Sequence, residues 1–286
     1  MQKVLVRNVT LGCALIFAAT VATAAPDSYS DSNEYQWLDA HGVPLPYEND
    51  SELLEFLTTA SVVSEKDIGV GINSSKKLLI DKDGVQAHAI FREADMRKDT
   101  ARVDGDIYRF FVDSYLFEPA AYHLAKMLDL HNIPPAAVRF VGRRKGSIQI
   151  WIEEVVDEEG ADFRPPSAMA WVQQTWDRFF FDNLVYNIDR NPGNILVTKD
   201  YRQWMIDHTR AFQYKNELKN DKLVKIRRSS WERLLALSEE EIRNALRDYL
   251  TIREMNSLLR RRKLIIEHIN ELLNERGEEA VFYPLN

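Results

Sequence analysis

Hydrophobic and polar positions change their period twice along the chain. Ser51 reads as the cap of a short helix, Glu52 to Thr58, with Leu53, Leu54 and Leu57 on one face. From Ser61 to Arg92 the pattern is strand-like. Val62 and Val63 run into Gly69-Val-Gly71, and the runs Lys76–Ile80 and Val85–Arg92 flank an Asp81-Lys-Asp-Gly84 hairpin turn. A polar stretch, Glu93 to Asp106, then leads to a helix. In it Tyr115, Glu118, Ala121, Tyr122, Leu124, Ala125 and Leu128 recur at helical spacing up to Leu130, before His131-Asn-Ile-Pro-Pro135 ends it. Two more strands, Ala137–Val141 and Ser147–Val156, flank the turn Gly142–Gly146.

After a linker at Asp157 to Pro166 the period becomes helical. Ala168 to Asn187 forms one long aromatic helix, and core packing accounts for Trp171, Trp176, Phe179, Phe180 and Phe181. Ser238-Glu-Glu-Glu241 and Thr251-Ile-Arg-Glu254 each match a capping box, in which a hydroxyl and a Glu satisfy first-turn amides. They start two helices, the second ending at Gly277. The reading is an α+β chain of two lobes: a small β-rich lobe with one helix over residues 51–156, and a mainly helical lobe over residues 157–286.

The N-terminus changes the picture of where this chain works. Lys3 and Arg7 precede the apolar run Leu11–Val21, which leads to the small-residue site Ala22-Thr-Ala24. This is the layout of an export signal cleaved after Ala24, with an uncleaved membrane anchor as the alternative reading of the same run. Residues 25–50 read as a polar linker pinned at Trp37, Leu38 and Pro46. The expected product is exported, periplasmic or secreted, with no stable membrane insertion after cleavage. Cys13 is the single cysteine and falls inside the signal, which excludes a disulfide or a cysteine metal site in the mature chain. A net charge of −7 without a basic stripe argues against nucleic-acid binding. The histidines have no metal-ligand spacing, and no Gly-x-Ser-x-Gly or Walker lysine loop is present.

Chemistry concentrates in Tyr186-Asn-Ile-Asp-Arg-Asn-Pro-Gly-Asn-Ile-Leu-Val197 and Trp204-Met-Ile-Asp-His-Thr-Arg-Ala-Phe212. Asp189 stands five residues before Asn194, and Asp207 follows a short hairpin. Phosphoryl transfer from a magnesium nucleotide needs a carboxylate to take the attacking hydroxyl's proton, and an Asn/Asp oxygen pair to hold the metal. Asp189, Asn194 and Asp207 match those types at the ends of an apolar helix and apolar strands, where site residues gather. The alternative is a turn cap and an ordinary loop Asn around Pro192-Gly193.

Asp-Arg with Asn at the fifth position and a following Ile-Asp-His resembles phosphoinositide kinases more than ordinary Ser/Thr kinases. HipA-like toxins and the secretory-pathway casein-kinase family vary the same scheme. The chain is identified as a bacterial member of this atypical kinase-like group over about residues 60–265, with the specificity in Asp189 to Phe212. The resemblance implies a two-lobed kinase-like fold with Asp189 as catalytic base, Asn194 and Asp207 on Mg²⁺ (or Mn²⁺), and ATP (or GTP) as donor. It also implies Gly69 and Gly71 near the phosphates, and a third-strand cation paired with a helix carboxylate.

Arg92 stands where these families usually have Lys, and Glu118 is its candidate partner; Lys76 or Lys77 could supply the charge instead. The glycines could equally serve a hairpin bend, and Glu118 could be a solvated helix carboxylate. Arg190 either binds phosphate or braces the loop, and His208 is read as structural. The expected partners are the nucleotide and an unidentified acceptor, protein or small molecule, whose contacts are sought in Glu93–Asp106 and Gln213–Ile226. Two other functions stay open: an exported pseudokinase acting as a binding module, and AMP transfer or ligation with the nucleotide flipped.

Overall fold

The computed structural model describes residues 35–68, 75–103, 105–156, 165, 167–219 and 221–283; the expected signal segment, Gly69 and Gly71 lie outside them. Its first helix, α1 (Asp50–Thr59), starts earlier than expected because Asn49, extended at φ −150°, accepts from the Glu52 amide. Ser51 lies inside the first turn. Strands β1 (Ser61–Asp67), β2 (Lys76–Lys82) and β3 (Val85–Arg92) follow as an antiparallel meander. Asp83 and Gly84 turn the second hairpin at φ +56° and +83°, the left-handed pair that a tight Asp-Gly hairpin requires.

The polar stretch Glu93–Asp106 is not a loop. Strands β4 (Asp95–Val103) and β5 (Asp106–Ser114) pair antiparallel as a separate two-stranded ribbon, from Asp95↔Ser114 to Val103↔Asp106. Most residues of this ribbon are exposed, and only Ala101, Val103 and Tyr108 pack partly buried against Phe111, Tyr186 and Ile188, so the apolar alternation in its sequence is weak. Only its far end, Phe111 to Ser114, is buried. Helix α2 therefore begins later than expected, at Phe117 (Phe117–Met127), with Tyr115 left on the approach to it.

Strands β6 (Ala136–Val141) and β7 (Arg144–Ile150) complete a five-stranded sheet of order β1-β2-β3-β7-β6. One face is covered by α1, where Leu53, Phe56 and Leu57 meet Leu78, Ile80, Ala87, Ala89, Phe91, Ile148 and Ile150. The strand period of two then sends His88, Ile90 and Arg92 of β3, and Ser147 and Gln149 of β7, to the opposite face.

After β8 (Val155–Val156), α3 (Ala168–Val185) is capped by Ser167 and ended by Tyr186 at φ +49°. A 3-10 turn at Pro192–Asn194 leads into β9 (Ile195–Thr198) and β10 (Gln203–Met205), which form a small sheet of order β10-β9-β8. Beyond β11 (Ile226–Arg227) come α4 (Arg228–Ala236), α5 (Glu239–Leu246), α6 (Ile252–Arg276), α7 (Glu278–Val281) and β12 (Phe282–Tyr283). Both capping boxes form reciprocally, Ser238 with Glu241 and Thr251 with Glu254. Helix α4 carries no capping signal and its sequence did not announce it.

Helix α2 buries Phe117, Ala120, Ala121, Leu124 and Ala125 in the same core as α3 and α6, while also touching β6 and β7. It is the element through which the sheet and the helical part share a core. A second tie is aromatic: Trp37, ahead of α1, lies 5.0 Å from Trp204 of β10, with Tyr35 edge-on to both. The linker is thus pinned at Trp37, and Leu38 bridges to Pro44.

Candidate active site

Asp189 follows the left-handed end of α3, and its amide donates to the Asn187 side chain at 3.0 Å. Asn194 donates its Nδ2 to the Asp189 carbonyl at 2.7 Å, closing the loop on itself and leaving Oδ1 as its acceptor. Asp207 sits just past β10 at φ +55°, a left-handed conformation that costs a non-glycine residue free energy and persists where surroundings impose it. The Ile206 amide bonds to the Asn194 carbonyl at 3.1 Å, which sets the two segments side by side.

Arg190 holds this arrangement. Nε and Nη2 donate to Asp182 at 3.1 Å, Nη1 donates to the carbonyls of Asn194 at 2.9 Å and Ile206 at 2.8 Å, and Nη2 reaches His208 Nε2 at 2.9 Å. Of the two sequence alternatives for Arg190, the geometry selects the brace. A guanidinium only donates, so His208 Nε2 must accept and its proton sits on Nδ1, facing Glu118 Oε2 at 3.6 Å. Burial pushes the His208 pKa down, which keeps the ring in that neutral form.

Glu118 is fully buried in the first turn of α2, so the solvated reading is overturned. Its Oε1 accepts from the His208 amide at 2.9 Å and lies 3.5 Å from Arg92 Nη1. Burial raises its pKa, but Arg92 and then His208 outweigh that effect and hold the carboxyl down at about 2. Arg92 is 5 % exposed. Its Nη1 is 3.5 Å from Gln149 Oε1, its Nε is 3.9 Å from Asp207 Oδ1, and Nε has no hydrogen-bond partner among the described residues. Gly146 makes its seat possible, since a Cβ there would lie 2.3 Å from the Arg92 carbonyl. The lysine alternatives go elsewhere: Lys76 pairs with Asp67 at 3.0 Å, and Lys77 lies over the Trp151 ring at 4.2 Å.

Two residues the sequence reading passed over join the site. Arg210 donates through Nε to Asp113 at 2.8 Å and through Nη1 to Asp189 Oδ2 at 2.9 Å, tying the buried end of the ribbon to the Asp189 loop. Gln149 bridges Arg92 and Glu118, with Nε2 3.4 Å from Glu118 Oε2. Their signal in the sequence was a charged or amide residue inside an apolar run, Phe111-Val-Asp-Ser and Ile148-Gln-Ile, which tells of a partner without naming it.

Solved structures of similar architecture exist at low sequence identity. Hydra Fam20 with sugar matches with a TM-score of 0.65 at 14% identity, over 83% of this chain and 94% of that one. The Golgi casein kinase matches at 0.58 and 16% identity, over 82% of this chain and 80% of that one. Its form with Mn/ADP bound gives 0.57 and 16%, over 82% and 78%. No protein-family model and no curated protein matches the sequence.

The chain shares the fold of these solved structures, a kinase-like architecture with a β-rich N-terminal part and a helical C-terminal part. The five-stranded sheet falls within the expected N-lobe, and the helices from α3 onward fall within the expected C-lobe. Arg92 comes from the third N-lobe strand, Glu118 from the helix that follows it, and Asp189, Asn194 and Asp207 from the C-lobe loops. Among the described residues no three His, Cys, Asp or Glu converge as a metal cluster. A magnesium ion bound through one or two protein oxygens plus phosphates needs none.

Proposed function

We propose that the protein is a phosphotransferase that moves the terminal phosphoryl group of ATP or GTP, with Mg²⁺ or Mn²⁺, to a hydroxyl acceptor. The observation that carries this reading is the buried Arg92, its Nε without a hydrogen-bond partner among the described residues and 3.9 Å from Asp207. A buried cationic donor left unsatisfied is costly, and phosphate oxygens at that point would satisfy it. Asn194 Oδ1 and Asp207 would hold the metal, which neutralises phosphate charge when bound. Asp189 would accept the proton as the acceptor oxygen bonds to phosphorus and the bond to the nucleoside diphosphate breaks. Of the similar structures, one is of hydra Fam20 with sugar and another of the Golgi casein kinase with Mn/ADP bound, which supports nucleotide, metal and hydroxyl chemistry for this fold. In this reading the expected N-terminal export signal would place the activity outside the cytoplasm.

One observation favours a nucleotide-binding module without transfer: both Asp189 oxygens already accept bonds, from Asn191 at 3.0 Å and Arg210 at 2.9 Å. Thermal unfolding of residues 25–286 with ATP and Mg²⁺ or Mn²⁺, beside Asp207→Ala, tests the nucleotide site. A metal-dependent rise in midpoint that Asp207→Ala abolishes is expected. No rise at millimolar nucleotide would sink both readings. Release of ADP that Asp189→Asn stops, while the midpoint shift survives, separates transfer from binding alone.

A further inference from the structure

Behind the Asp189 loop, on the side of Arg190 that faces Asp182, lies a cavity of about 340 Å³. Among the described residues, its walls carry Arg178 of α3, Arg190, Lys219 and Lys222 against a single carboxylate, Asp182. That carboxylate is committed to Arg190, whose donors are in turn spent on Asp182, Asn194, Ile206 and His208. Arg178 and Lys222 lie on the Phe179 ring at 5.6 and 5.4 Å. In a chain of net charge −7, cations thus outnumber acids among the described lining residues.

Lys219 is the informative member. It is half-buried, and among the described residues its Nζ has no hydrogen bond or ion pair, while its main-chain N–H is anchored to Asn183 Oδ1 at 2.8 Å. Burial, with Arg190 and Lys222 nearby, pushes the Lys219 pKa down, and Asp182 and Asp189 only partly oppose this. An ammonium withdrawn from water without a partner is unfavourable, and an anion in the cavity removes that cost. A phosphate offers several acceptor oxygens and up to two charges, which suits convergent cations better than one carboxylate does. The volume is at the small end of small-molecule sites, typically about 300–1,000 Å³.

We infer that this cavity binds a phosphate group, free or at the end of a small organic ester, with Lys219 as its central ligand between Lys222 and Arg178. The site is distinct from the nucleotide cleft, because none of Arg92, Glu118, Asn194 and Asp207 lines it. It is therefore independent of the proposed phosphotransfer and is tested without nucleotide or metal.

Calorimetric titration with inorganic phosphate and, separately, glucose 6-phosphate reads the site. Binding of at least one is expected, weakened about tenfold or more by Lys219→Met and also reduced by Lys222→Met, as loss of a charge-assisted bond implies. Lys66→Met, exposed on β1, and Asp207→Ala leave it unchanged. Equal affinity for the two probes assigns the site to free phosphate, and tighter binding of the ester assigns it to an organic phosphate. Unfolding midpoints without ligand confirm that each variant is folded, and Lys222→Met carries the test alone if Lys219→Met is not. No binding of either probe at millimolar concentration, binding indifferent to both lysines, or binding lost with Asp207→Ala would each overturn the inference.

Discussion

Arg190 and Arg92 both reach the Ile206–His208 segment, and they are used in opposite ways. Arg190 donates to Asp182, two backbone carbonyls and an imidazole, at distances between 2.8 and 3.3 Å. Arg92 is as deeply buried, yet its contacts to Glu118, Gln149 and Asp207 lie at 3.5 to 3.9 Å and its Nε has no partner among the described residues. Arg190 is spent on fixing backbone; in the proposed reading the free donor of Arg92 is left for a phosphate oxygen. The pair teaches that residue type and burial do not separate a brace from a binding group, whereas the count of satisfied donors does.

The largest expected effect comes from breaking the saturated side. Arg190→Met leaves Asp182 buried without its cation, and about 3–5 kcal/mol of stability should be lost by urea unfolding, as when one partner of a buried pair is removed. A loss below about 1 kcal/mol would mean that the brace is not what holds the loop.

Acid separates the two sides in sequence. His208 has a folded pKa below its ordinary 6.5, so the unfolded chain binds more protons and stability falls as pH drops below 6.5. His123 and His131, also lowered by burial, act in the same direction. Glu118, depressed from 4.5 to about 2, adds stability above pH 4.5 that is lost between those two values. Urea midpoints from pH 7.5 to 2.5 should show both declines, with Glu118→Gln flattening the lower one. Asp177, its carboxyl pushed up to about 8 by burial, opposes the histidines between pH 7 and 5, so a pH dependence in that range unaltered by His208→Gln would contradict the buried neutral imidazole.

The smallest effect on stability belongs to Arg92→Lys, which keeps the charge beside Glu118 and gives up only long contacts. The change should stay under about 1 kcal/mol, while the rise in melting midpoint caused by metal and nucleotide changes clearly. A stability loss comparable with that of Arg190→Met would erase the distinction between the two arginines.

The parts legible in the sequence were those with a local cause. The Asp-Gly turn before β3, both capping boxes, the α3 helix and the β9–β10 hairpin each follow from residues within a few positions of one another. The β4–β5 ribbon was missed because its faces are mostly exposed and period two has little to separate. Arg210 was missed for a different reason: its partner Asp113 is distant in the chain and belongs to that same unseen ribbon.

The sequence by itself determined that a base-like Asp189, an Asn194 and an Asp207 stand at the ends of apolar elements, since spacing and strand pattern are local properties. It could also propose Arg92 with Glu118, because residue types mark who can pair. Only the tertiary structure decided that Glu118 is buried rather than solvated, that Arg190 is spent and Arg92 is not, and that Lys219 faces a cavity without a partner among the described residues. Satisfaction of a donor depends on what distant segments bring to it in three dimensions, and no local pattern encodes that count.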